Sequence, residues 1–271
     1  GVSGTYIVNC TFSHFGCGNT TSQSSRSAAW PCAAGPLQWG WSSPPGVSEA
    51  APQHHPGFAT RPPPLDAVIL ASAGAVFRLS NVLFHGIRAA AAVVASSFDV
   101  VSAVGVHVYK QLGCGLLALP NAAEVDVRDV SASHVLCAMF ISGDAGATDG
   151  TSYAVLDVRT ARSVTVAGVL VAHVLSTPSW TGAANPDKPS CSGSAVRVTH
   201  TRKAQVRDVV ADHVVTVGHG GLVCATLVEE VLIGNVSCDN VSTTGHGGVV
   251  FVSHGTRADV QGVWVHGAAS G

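Results

Sequence analysis

The sequence predicts an all-β chain wound as a right-handed parallel β-helix, a solenoid of about eight coils of 22–27 residues with loop insertions, in a single domain over residues 1–271. Three observations predict it: a recurring nine-residue segment, a period of two inside that segment, and β-branched strands joined by Gly-rich corners. The segments run from Ile7 to Phe15, Leu79 to Ile87, Val101 to Tyr109, Val127 to Val135, Val166 to Val174, Val206 to Val214, Ile233 to Val241 and Val260 to Ala268. From Leu79 onward their starts lie 22, 26, 39, 40, 27 and 27 residues apart.

A second block precedes the nine-residue segment in each unit, with copies at Ala67 to Ser72, Gly193 to His200, Gly220 to Thr226 and Gly247 to His254. In Val196-Arg197-Val198-Thr199 the apolar pair faces one way and the polar pair the other, as in a half-buried strand. The expected inward set is Val125, Val127, Val130, Val196, Val198, Val206, Val209, Ala258, Val260 and Val263, with Asp157, Arg197 and Thr199 outward. Stacked at about 4.8 Å, eight such coils would make a rod roughly 35–40 Å long. Val leads where a leucine-rich repeat would carry Leu and a helical return segment.

Three stretches leave the pattern. Residues 16–64 hold most of the prolines and Trp30, Trp39 and Trp41; residues 143–152 and 176–194 are shorter. Trp-rich segments are costly to leave in water, so the long one is expected to pack along a flank. Insertions on one side of a repeat array commonly build its binding face.

Gly247-Gly248-Val249-Val250-Phe251-Val252, together with Asn235-Val236-Ser237-Cys238-Asp239-Asn240-Val241, resembles the GGA[ILV]…FxxN repeats of polymorphic outer-membrane proteins. More broadly the chain is similar to the pectin-lyase-like β-helix superfamily, over about residues 4–15 and 65–271, with the FxxN part degenerate throughout. The resemblance implies the fold, and its superfamily implies polysaccharide lyase or glycoside hydrolase chemistry as the alternative function.

Only 11% of the residues are charged and the formal net charge is −2. Without a Lys/Arg run, neither nucleic acid nor an anionic membrane surface is an expected partner. No apolar run reaches the ~20 residues of a spanning helix, so direct membrane insertion is not expected. The chain opens Gly-Val-Ser and ends inside a pattern still repeating, which reads as a piece of a longer protein. The eight cysteines form no CxxC pair, and four of the seven asparagines (Asn9, Asn19, Asn235 and Asn240) stand in glycosylation sequons. Together these predict a disulfide-bearing glycoprotein, extracellular or at the cell surface. Cys17 and Cys32 are the first disulfide candidates, because a loop outside the coil gains most from a staple; Cys10 and Cys238 occupy inward positions.

His134, His173 and His213 share the eighth position of their segments with His14, and Asn240 holds it in the next coil, which predicts a stacked ladder. A line of side chains about 4.8 Å apart cannot surround one tetrahedral ion, so neither metal nor cofactor is expected. His219-Gly220-Gly221 and His246-Gly247-Gly248 lack the GxSxG elbow that an esterase would need. For an enzyme, the catalytic set would be Asp129, Asp208 and Asp212, beside Asp126. Asp129 and Asp208 share one register with Gly168 between them, about 9–10 Å apart, which fits no retaining glycosidase pair.

The expected function is therefore structural or adhesive: a segment of a cell-wall, ciliary-hair or adhesin-type fibre, with other copies or other subunits as partners and glycans as a further class. Fifth-position residues should point outward between inward neighbours. Leu83, Leu170, Val210 and Trp264 stand there, and a line of apolar residues predicts a lateral contact face covered by residues 16–64 or by another subunit.

Overall fold

The computed structural model describes residues 4–13, 67–89, 91–113, 115–138, 154–177, 194–216, 220–243 and 247–270. Among these, every element is a strand: β1 Gly4–Val8, β2 Thr11–Ser13, β3 Ala67–Arg88, β4 Ala91–Leu112, β5 Gly115–Pro120, β6 Glu124–Ala138, β7 Leu156–Thr177, β8 Val196–Thr216, β9 Val223–Thr243, β10 Val250–Ser253 and β11 Arg257–Ser270. The fold is all-β and every strand pairing is parallel. Chain contacts separate Gly1–Gly16 with Pro63–Gly271 from a second unit, Cys17–Pro62, which lies outside the described residues.

Each repeat lies on the one before it, forming a rung. Leu79 sits opposite Ala103, Ala103 opposite Val127, and the line continues through Val166, Val206, Ile233 and Val260. The nine-residue segment of the second full rung therefore begins at Ala103 rather than Val101, and the first two spacings are 24 and 24 residues in place of 22 and 26. A two-residue slip preserves which side chains face in, so apolar alternation cannot detect it. Corner residues can.

Strands of 21 or 22 residues such as β3, β4, β7, β8 and β9 stay compact because they bend where φ is positive. One corner line runs Asn9, Asn81, Gly105, Asp129, Gly168, Asp208, Asn235 and Gly262; a second runs Gly86, Lys110, His134, His173, His213, Asn240 and Gly267. Short polar side chains and glycine tolerate this left-handed conformation; β-branched residues resist it. The Val-rich stretches between corners are left extended, and their alternate residues turn inward.

Inside, the line Val82, Val106, Val130, Val169, Val209 and Val236 is buried, as are Val125, Val127, Val196, Val198 and Val206. Burying each such valine stabilises the fold by about 1.5–3 kcal/mol. Ala258, Val260 and Val263 continue the inward columns of Val231, Ile233 and Val236 but are themselves exposed. Val260 and Val263 are 43% and 37% exposed, because among the described residues β11 stacks on β9 alone and nothing covers its other side.

Asp157 and Arg197 stand outward as expected, and the structure adds that they are covered, at only 1% and 7% exposed. They belong to an outward line, Leu70, Val94, Ala118, Asp157, Arg197, Cys224 and Phe251. This line is covered in its middle, at Ala118, Asp157, Arg197 and Cys224, and open at Leu70. Thr199, two residues on from Arg197, is half-buried.

Candidate functional site

Asp129 and Asp208 take the left-handed corner, with φ of 52° and 57°, and Gly168 stands between them. A Cβ on Gly168 would lie 2.7 Å from Asp129 Oδ1, so the carboxylate leans over the glycine. Asn235 Nδ2 donates to Asp208 Oδ1 at 3.0 Å, and Asn81 Nδ2 donates to Asn9 Oδ1 at 3.2 Å on the same line. These side chains tie one rung to the next. Asp212 lies on the line of Ala172 and Asp239, apart from Asp129 and Asp208, and His213 Nδ1 donates to it at 2.5 Å. Asp126 accepts from Arg128 Nε at 2.9 Å, a bond that raises the Arg128 pKa. Each of the four aspartates has its own local position, and the register does not bring them together around a common point. Among the described residues no group of three or more His, Cys, Asp or Glu could hold a metal ion.

Rings run along the second corner line: His134, His173 and His213 stand on it, and His85 and Tyr109 one residue before its corners Gly86 and Lys110. His85, Tyr109, His134, His173 and His213 follow one another with centroid separations of 5.4, 5.1, 4.9 and 5.3 Å. Asn240, at φ 54°, holds the corner in the next rung. Burial, then the neighbouring charges of His173 and Lys110, lowers the His134 pKa, and its Nδ1 is buried without a hydrogen-bond partner. The described sequons, Asn9, Asn235 and Asn240, are exposed at corners; Asn19 lies outside the described residues, as do Cys17, Cys32, 143–152 and all of 176–194 except Ser176, Thr177 and Ser194. Cys224 is disulfide-bonded. Cys10 is half-buried and Cys238 buried, where desolvation raises the thiol pKa.

Two outward lines stand out from the remaining surface. The first reads Thr11, Leu83, His107, Ser131, Leu170, Val210, Ser237 and Trp264. Its four large apolar members, Leu83, Leu170, Val210 and Trp264, are 40%, 50%, 45% and 60% exposed in the single chain. The second is the covered line with its ion cluster. Arg197 Nε donates to Asp157 Oδ1 at 2.8 Å and its Nη2 to Oδ2, while Arg159 Nη2 donates to Oδ2 at 2.8 Å. Removing Arg197 alone would leave the buried carboxylate to Arg159 as its remaining partner, at a cost below the ~3–5 kcal/mol of a fully stranded charge. Sequence parity placed these charges outward and said nothing of their pairing; the signal that could have found it is register, which sets Asp157 beside Arg197 on a line shared with Ala118 and Cys224.

No protein family, curated protein or solved structure matches the chain.

Proposed function

We propose that the described strands are the coils of a right-handed parallel β-helix of the pectin-lyase-like kind, and that the protein is a structural or adhesive segment of a large secreted or cell-surface glycoprotein. The observation that carries this reading is the exposed line Leu83, Leu170, Val210 and Trp264. Single exposed apolar residues are ordinary on any protein. Four that repeat at one register position, on a chain with 11% charged residues, make a side that association would cover. Asp208 supports the same reading, since its bond from Asn235 ties one rung to the next.

Sedimentation velocity over a concentration series tests it. At about 0.5 M salt, where exposed charge pairs are screened, the wild type is expected to associate, and Leu170→Asp with Val210→Asp and Trp264→Asp to remain monomeric with an unchanged β-type circular dichroism spectrum. A wild type that stays monomeric throughout, or one that turns over acidic polysaccharide at enzymatic rates, overturns the proposal.

A further inference from the structure

Charge gathers on another exposed side. Register sets Val100 beside Glu124, Glu124 beside Ser163, Ser163 beside Lys203, Lys203 beside Glu230 and Glu230 beside Arg257. Taken with the residue before each, this position forms a stripe that reads, rung by rung, Asp99; Glu124; Arg162; Arg202 and Lys203; Glu229 and Glu230; Arg257. All eight are exposed. They are four of the 14 basic and four of the 16 acidic residues of the chain, so a charge-poor protein concentrates its charge here.

The signs come in blocks: two acids on successive rungs, three bases on the next two, then two acids on one rung and a base, Arg257, on the last. Stacking like on like at about 4.8 Å is unfavourable within the chain. The column Lys203, Glu230 and Arg257 alternates as a stripe serving this chain's stability would, whereas Arg162 lies over Arg202 and gains nothing from its neighbour. Among the described residues the one ion pair inside it is Arg202 Nε with Glu229 Oε2 at 3.6 Å, both largely exposed. Arg162, Ser163, Arg202, Lys203, Glu229 and Glu230 border an open hollow of about 350 Å³, with room for side chains from outside.

We infer that this stripe docks a second copy of the chain, turned end over end. A twofold axis passing between the rungs of Glu124 and Arg162 sets Glu124 of one copy against Arg162 of the other. It also sets Asp99 against Arg202 and Lys203, and symmetry supplies the reverse pairs. Moving the axis one rung either way opposes acid to acid or base to base. This is the one placement that matches unlike charges over four rungs. Exposed charge pairs fix register and speed encounter more than they add affinity, so the contact is reversible and salt-sensitive. The inference rests on the assembly reading above but uses a different side of the stack.

Charge exchange tests it. One variant carries Asp99→Lys and Glu124→Lys; the other carries Arg162→Glu, Arg202→Glu and Lys203→Glu. At low salt the wild type should show, in sedimentation velocity, a salt-sensitive part of its association that is lost by about 0.5 M salt. Each variant alone should associate about tenfold more weakly or less, and an equimolar mixture of the two should recover association. All five substituted positions are exposed, so circular dichroism should not change. A wild type with no salt-sensitive association, variants that self-associate like the wild type, or a folded mixture that stays monomeric overturns the inference. Salt-insensitive association abolished only by the Leu170, Val210 and Trp264 substitutions would leave the apolar side standing and remove this one.

Discussion

Gly168 stands between Asp129 and Asp208 on one corner line, at φ 69°, and a Cβ there would meet Asp129 Oδ1 at 2.7 Å. Gly168→Ala is therefore expected to cost about 1–3 kcal/mol in urea unfolding, from left-handed backbone strain and the close contact together. Adding Asp129→Gly should recover the contact part and leave the backbone part. A Gly168→Ala protein as stable as the wild type would show that the corner is not built this way. The same corners explain a misleading signal. All five asparagines of the described residues, Asn9, Asn81, Asn121, Asn235 and Asn240, have positive φ. A corner Asn, then an inward apolar residue, then an outward Ser or Thr spells a sequon at Asn9, Asn235 and Asn240. The fold alone accounts for that spelling, so the abundance of sequons carries less weight for glycosylation than their count suggested.

At the scale of the strand, the corner rings stack along successive rungs while the valines beside them hold the interior. His134 is the member whose proton is disfavoured, first by burial and then by His173 and Lys110. Its folded pKa lies below the ordinary 6.5, so the unfolded chain binds the proton more readily. Stability contributed by neutral His134 is present above pH 6.5 and is lost as pH falls through that value toward the folded pKa. Thermal melts between pH 8 and pH 5 should show that loss, and His134→Gln should flatten it; equal slopes in the two proteins would exclude His134 as the source. Strand identity was legible in the sequence because period two and β-branched residues both declare it. Exact register was not, since Val101 and Ala103 both face inward and only Gly105 and Lys110, as corners, choose between them. Nor was the Asp157–Arg197 cluster: alternation reports the side a residue faces, and what covers that side is set by the rest of the chain.

For the molecule as a whole, the sides of the stack divide the labour. Its interior is apolar, one outward line buries an ion cluster, one exposes Leu83, Leu170, Val210 and Trp264, and one carries blocked charge. The last rung exposes Val260, Val263 and Val265, in the same columns where Ile233, Val236 and Cys238 are buried. Each of these surfaces exists only if residues far apart in sequence lie one above another. That register is the central claim, and a distance between two outward positions measures it most directly. Leu83 and Ser237 share a line through His107, Ser131, Leu170 and Val210, five rung steps apart. Nitroxide labels at Leu83→Cys and Ser237→Cys, read by pulsed double electron–electron resonance in dilute, monomeric protein, should give a narrow distribution with a backbone separation of about 24 Å. A broad distribution, or a mean beyond about 40 Å, would contradict the stacked register and with it every surface assigned here.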